Sequence, residues 1–159
     1  MKTIYKIIAS GFGSGYSPFA PGTVGSAVGC LLVYFFHFIF SAYDYSIFAL
    51  LFFTYCLFII LTGIVTVNKL EAEWGNDAPK FTIDEIAGMS ISLLFVPLNW
   101  TNILIAFILF RFFDILKPFG IRSLEKLHGG LGVMLDDVLA GIYANIILHV
   151  ILIYSPFLL

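Results

Sequence analysis

Three short stretches place ionisable groups at the ends of otherwise apolar runs: Asp84 with Glu85, Arg111 with Asp114, and Asp136 with Asp137. Carboxylates without a Cys or His ligand set favour a hard cation such as Mg²⁺, which takes one or two carboxylates, keeps several waters and accepts phosphate oxygens. Neighbours on a helix point about 100° apart. Asp136 and Asp137 are therefore not expected to face one ion equally, which leaves one of them to orient the other or to act as a base. Arg111, Asp114 and Lys117 recur every three residues and share one stripe of a helix. A guanidinium fork matches phosphate geometry, whereas Lys acts as a point charge. An ion-pair ladder accounts for the same spacing without a ligand. Arg122 and Lys126 follow in a stretch that includes "HGGLG", whose glycines allow close backbone approach to a ligand. His128, beside them, reads as a surface residue rather than a base.

A second source of chemistry is "GFGSGYSPFAPGTVGS", residues 11–26, which is rich in glycine and hydroxyls and carries no charge. Such backbone ahead of a helix can aim N–H groups at an anion, helped by the helix dipole. Ser14 supplies a hydroxyl, and Thr23 is placed to cap the following helix. Two readings stay open for this stretch, a phosphate cradle and a helix-packing loop.

The elements that position these residues are membrane helices. The chain has 159 residues, 60% hydrophobic and 11% charged, against about 25% charged in a soluble domain. A net charge of −2 excludes a generally basic nucleic-acid binder. Cys30 and Cys56 lie in apolar runs and read as packing residues. The first residues lack the apolar core of a signal peptide, so the N-terminus is expected to be retained. Apolar runs predict an all-α integral membrane protein of about five spans: 24–40, 46–67, 81–98 with Asp84 and Glu85 inside it, 101–116, and 134–155. The stretches "NKLEAEWGNDAPKF" and "KPFGIRSLEKLHGGLG" read as polar loops. Five alternating spans put Lys2, Lys6, Lys69, Lys80, Lys117, Arg122 and Lys126 on one side, so the N-terminus is expected in the cytoplasm and the C-terminus outside. All three ionisable pairs fall at cytoplasmic helix ends. The acids at the starts of the third and fifth spans suit the helix dipole. Gly88, Ala140 and Gly141, each one turn beyond an acid, would let those helices approach closely.

The segments "GSGYSPFAPGTVGS", "IDEIAGM" and "FRFFDILKPFGIRSLEKLHGGLGVMLDDVLAGIYA" resemble, in order, the signature segments of the phosphatidylglycerophosphatase A family. The resemblance runs from about Gly13 to Ala144 and is weakest across the second span; Gly120 departs from the Pro that relatives often carry. It implies one membrane-embedded phosphatase domain over 1–159 in the bacterial cytoplasmic membrane, with its site facing the cytoplasm. The implied reaction is Mg²⁺-dependent removal of the terminal phosphate of phosphatidylglycerophosphate, giving phosphatidylglycerol. On this reading Asp84, Glu85, Asp136 and Asp137 hold the metal and its water, and Asp114 contributes or pairs with a base. Arg111, Lys117 and Arg122 neutralise the phosphate, with Ser14 and Thr23 at the loop. Direct attack by water and an aspartyl-phosphate intermediate stay open. The competing reading is a small membrane transporter or channel with a cytoplasmic-side cation site. Against it, only His37 and His149 offer ionisable groups in the outer halves of the spans.

Overall fold

The computed structural model describes residues 2–75 and 77–155. Among them there are helices and turns and no strand. In chain order the helices are α1 (Lys2–Ala9), α2 (Pro21–Phe40), α3 (Tyr45–Trp74), α4 (Ile83–Ser92), α5 (Trp100–Leu116), α6 (Ile121–Leu124) and α7 (Gly130–Tyr154). A single 3-10 turn, Ser14–Tyr16, precedes α2. Three helices, α2, α3 and α7, are long and apolar enough to cross a membrane. Leu31, Phe35, Phe53, Leu57, Leu104 and Ile108 stand exposed on α2, α3 and α5. That suits a chain whose outer surface meets lipid rather than water.

The core forms around α4, which packs most extensively on α7 and next on α2, and also meets α3 and α5. Ile86, Ala87 and Met89 of α4 are fully buried, as are Ala140, Ala144 and Leu148 of α7. Small residues make the α4–α7 crossing close. A Cβ on Gly88 would stand 2.6 Å from the Asp137 carbonyl oxygen, and one on Gly141 would collide with the Gly88 carbonyl. The expected role of Gly88 and Gly141 is what the packing shows.

Three element boundaries differ from the sequence reading. The third expected span is a helix of only 10 residues, about 15 Å long against a hydrocarbon core of about 30 Å. Residues 93–99 then leave the helix, with Phe95 in the left-handed region at φ 61°. The carbonyls stranded at such an end need partners inside an apolar layer. Asn145 of α7 supplies them, its Nδ2 donating to the carbonyls of Ser92 at 3.1 Å and Leu94 at 2.8 Å.

The second difference is α3, whose 30 residues run through "NKLEAEW", expected as loop. Hydropathy reports burial in lipid, not helicity, and this polar extension continues beyond the apolar stretch of α3 to pair Glu73 with Lys6 of α1. Third, α7 begins at Gly130, four residues before the expected 134. Asn68 of the α3 extension accepts the Gly130 N–H at 2.7 Å, and a Cβ on Gly130 would run into the backbone of Ile64. The close approach that Gly129 and Gly130 make is thus to α3, and that of Gly132 is to the Leu127 carbonyl, where the sequence reading had a ligand. Asp136 and Asp137 consequently sit in the second turn of α7, outside the first turn where the dipole acts most strongly. The expected position of the C-terminal tail concerns residues 156–159, which lie outside the described residues.

Candidate active site

Four elements meet at one end of α4. Its first turn carries Asp84 and Glu85, and its neighbours come from α7, α5 and α2. Asp84 is 7% exposed, Asp136 4% and Asp137 3%. Carboxylates buried so deeply require compensation by cations or hydrogen bonds.

Ligand oxygens from Asp84, Glu85 and Asp137 lie within 4.8 Å of one another, an arrangement that could hold a metal ion. Asp114 lies close enough to Asp137 for the two carboxyls to interact directly. The adjacent pair on α7 divides as helix geometry requires: Asp137 turns into this group and Asp136 turns away, its Oδ2 accepting from Lys117 Nζ at 2.6 Å. The adjacent pair on α4 does not divide. Glu85 has one more methylene than an aspartate, and that reach brings its carboxylate back beside Asp84.

Basic groups sit on two sides of the acids. Arg111 Nη1 is 2.6 Å from Asp114 Oδ2 and 3.4 Å from Ser26 Oγ. Lys117 closes α5 in the left-handed region, φ 47°, and bonds both Asp136 and Glu125 at 2.6 Å. Burial alone would lower its pKa, but the hydrogen bonds to Asp136 and Glu125 outweigh burial and hold it above its ordinary value. Five carboxylates, those of Asp84, Glu85, Asp114, Asp136 and Asp137, thus gather beside two basic side chains. Three polar atoms there are buried without a protein partner: Glu85 Oε2, Asp136 Oδ1 and Arg111 Nε. An excess of negative charge with an unsatisfied carboxylate oxygen fits a divalent cation bound by oxygen donors.

This geometry accompanies a specific sequence likeness, a match to the model of the family described as phosphatidylglycerophosphatase A over residues 7–152. The chain belongs to the phosphatidylglycerophosphatase A family. It is 45% identical over 148 residues to a phosphatidylglycerophosphatase A of Haemophilus influenzae, covering 91% of this chain and 86% of that one. It is 32% identical over 154 residues to the Escherichia coli protein of the same name, covering 95% and 85%. A protein of Bacteroides thetaiotaomicron called a putative phosphatidylinositol-3-phosphatase is 44% identical over 149 residues, 91% of each chain. No solved structure matches the chain.

Within this member of the phosphatidylglycerophosphatase A family the other expected site residues are spread more widely. Ser14 is buried, and its Oγ bonds Thr82 Oγ1 at 2.8 Å and the Ser10 carbonyl at 3.1 Å, so it ties the loop to the residue that precedes α4. Thr23 is not the cap of α2: that helix starts at Pro21 behind Ala20, which leaves Thr23 exposed in the first turn. Arg122 is exposed on α6 and donates to the Leu116 carbonyl at 3.4 Å. Within 11–26 the structure shows helix packing at one position and an approach to the acidic group at another. Gly25 packs on Thr82, whereas Gly22 faces the site, where a Cβ would collide with Glu85 Oε1 and crowd Arg111 Nη1 at 3.2 Å. Residues the sequence reading passed over are Ser26, Glu125 and Asn68. Ser26 had a signal: it lies one turn after Gly22 on α2 and so shares its face. Asn68 had none, because its partner Gly130 is distant in sequence; Glu125 had none, because it meets Lys117 across the turn between α5 and α6 rather than along one helix.

Proposed function

We propose that the chain is a lipid phosphatase that hydrolyses the terminal phosphate of phosphatidylglycerophosphate to yield phosphatidylglycerol. The observation that carries this reading is the group of buried acids beside Arg111, in a chain of this family. Asp84, Glu85 and Asp137 would hold Mg²⁺, with Asp136 at its edge. A bound Mg²⁺ would supply Lewis-acid stabilisation of phosphoryl oxygens and an acidified water.

The protein's own groups do the rest. Arg111 is held by Asp114 and Ser26 with its fork beside Gly22, poised to share its donors with an incoming phosphate as charge builds on the leaving oxygen. Lys117 holds Asp136 in place through an ion pair at 2.6 Å; Arg122, at the exposed rim, adds to the positive field. Gly22 keeps the start of α2 free of side-chain bulk, so a phosphate can approach the guanidinium. Ser14 and Thr23 frame the loop behind it.

The orientation that fits is five crossings, with α4 and 93–99 together making the third, and with the site at the cytoplasmic rim of a bacterial inner membrane. The Lys and Arg distribution supports it, and a substrate with acyl chains among helices and a phosphate in water matches it. The name of the Bacteroides thetaiotaomicron relative points to a phosphomonoester on a different lipid headgroup, which shares the chemistry of the bond broken. The test is phosphate release by purified protein from phosphatidylglycerophosphate and, separately, from phosphatidylinositol 3-phosphate, with Mg²⁺ or EDTA. Turnover of the first that EDTA abolishes is expected. Turnover of only the second would replace the substrate, and no release from either would overturn the phosphatase reading.

A further inference from the structure

The turn that links α1 to α2 has a backbone closed on itself. Every N–H from Ser10 to Ser17 donates to a backbone carbonyl among residues 6–14, at 2.8–3.3 Å. The hydroxyls turn inward as well: Ser10 Oγ donates to the Ile7 carbonyl at 3.3 Å, and Ser14 Oγ to the Ser10 carbonyl at 3.1 Å. A loop in water can leave such groups to the solvent, whereas backbone in an apolar layer must find its partners within the protein. The apolar side chains of the same segment face outward. Ile4 and Ile7 of α1 are exposed, and Phe12 is 67% exposed. Phe12 is also held in the left-handed region, φ 58°, which costs a non-glycine residue energy and persists only where neighbours impose it. α1 leans down α3. Lys6 pairs with Glu73 in the polar extension, whereas Ile8 and Phe12 border an apolar cavity together with Phe58, Ile59 and Thr62. Thr62 and Phe58 lie 11 and 15 residues back from Glu73 along α3, about 16–22 Å of helix. Phe58 stands exposed on a helix that can cross the membrane.

We infer that α1 and the turn after it form a wedge that enters the lipid leaflet beside α3 and leaves it again before α2, with Ile7 and Phe12 among acyl chains. The occupant of the outward face is the bilayer's own lipid, because Phe12 extends the exposed apolar surface of α3 to which Phe58 belongs. Lys2 and Lys6, at the other end of α1, stay at the polar level, the division of basic and apolar groups that suits a segment seated at a lipid interface. The chain enters and leaves by one face, so the wedge adds no crossing. It is also tied to the candidate site. The Thr82 N–H donates to the Ala9 carbonyl at 3.0 Å, and Thr82 Oγ1 bonds Ser14 Oγ at 2.8 Å, two residues before Asp84. Glycine permits that contact, since a Cβ on Gly11 would stand 2.7 Å from Ser14 Oγ and 2.8 Å from Thr82 Oγ1. Lipid that seats the wedge thereby fixes the level of the first turn of α4.

The experiment reads one tryptophan at a time in the full chain, reconstituted in vesicles of phosphatidylcholine and phosphatidylglycerol. A Trp74→Phe, Trp100→Phe background removes both native indoles. Phe12→Trp and Ile7→Trp then report on the wedge, and Lys126→Trp on an exposed polar segment. Exchanging the phosphatidylcholine for its chain-brominated form is expected to remove most of the emission of Phe12→Trp and Ile7→Trp, while aqueous acrylamide leaves them nearly unquenched. Lys126→Trp should show the reverse. If Phe12→Trp does not fold, Ile7→Trp decides by the same readings. Acrylamide quenching of the wedge indoles as strong as that of Lys126→Trp would put the turn in water and overturn the wedge. Indoles that neither quencher reaches would overturn it too, because a protein surface would then cover them. A second measurement needs no tryptophan. Phe12→Asp sets a charge against acyl chains and should lower the melting temperature in vesicles, whereas Phe12→Leu should not. Equal melting temperatures for the two would place residue 12 outside the lipid.

Discussion

Asp137 faces Asp84 and Glu85 while Asp136 faces Lys117, so two neighbouring aspartates carry different burdens. Asp137→Asn should reduce turnover by more than about 100-fold, since even the outer partners of metal ligands are worth about 10–100-fold. The same change should abolish the rise in melting temperature that Mg²⁺ gives the wild type, because a ligand that binds only the folded state stabilises it. A Mg²⁺-induced shift that persists in both Asp84→Asn and Asp137→Asn would place the metal elsewhere. Lys117→Met strands a buried carboxylate and should cost on the order of 1–3 kcal/mol, toward the low end because Lys117 keeps partial contact with solvent. Its folded pKa is raised, so its stabilisation is complete below the unfolded value of about 10.4 and is lost only as pH rises through the folded value. On the Lys117 side of the pair, thermal melts should therefore show a gap between wild type and Lys117→Met at neutral pH that closes in strong alkali.

At the scale of elements, the short helix α4 is the pivot, and two features hold it in place. One is its crossing with α7 at Gly88 and Gly141. Gly141→Leu should force these helices apart, destabilise by about 1–3 kcal/mol and lower activity, because the crossing fixes Asp84 and Glu85 against Asp137. The other is the side chain of Asn145, which satisfies the Ser92 and Leu94 carbonyls at the broken end of α4. Asn145→Leu leaves those oxygens unpaired and should cost about 1–3 kcal/mol, read as a lower melting temperature in detergent. If Asn145→Leu melts with the wild type, water reaches the end of α4 and the segment 93–99 is not within the apolar layer.

For the whole molecule, the decisive property is topology. Three helices are long enough to cross a bilayer by themselves, and five crossings require α4 with 93–99 and α5 to cross as well. In a protein with Cys30 and Cys56 replaced by Ala, a cysteine at Lys126 should react with an impermeant maleimide only from the cytoplasmic side, and one at Asp44 only from the outside. Labelling of both from one side would refute an odd number of crossings between them. In that orientation the candidate site would lie at a single membrane face, where a lipid headgroup meets water.

The amino-acid sequence alone determined the membrane class, the all-helical fold, Asp84, Glu85 and Asp137 as acids that could hold a metal, and the family. Those properties depend on composition, on the identity of side chains and on spacing along one helix. Local periodicity also separated Asp136 from Asp137, because adjacent helical residues diverge whatever surrounds them. It could not show that Glu85 swings back to Asp84, that Lys117 bridges Asp136 and Glu125, or that Asn145 caps a helix broken at Ser92. Nor could it show that α3 stays helical beyond its apolar stretch to reach α1. Each of those outcomes was decided by the tertiary structure, because it depends on side-chain conformations set by the surrounding packing, on partners in other elements, or on where a helix ends relative to its neighbours.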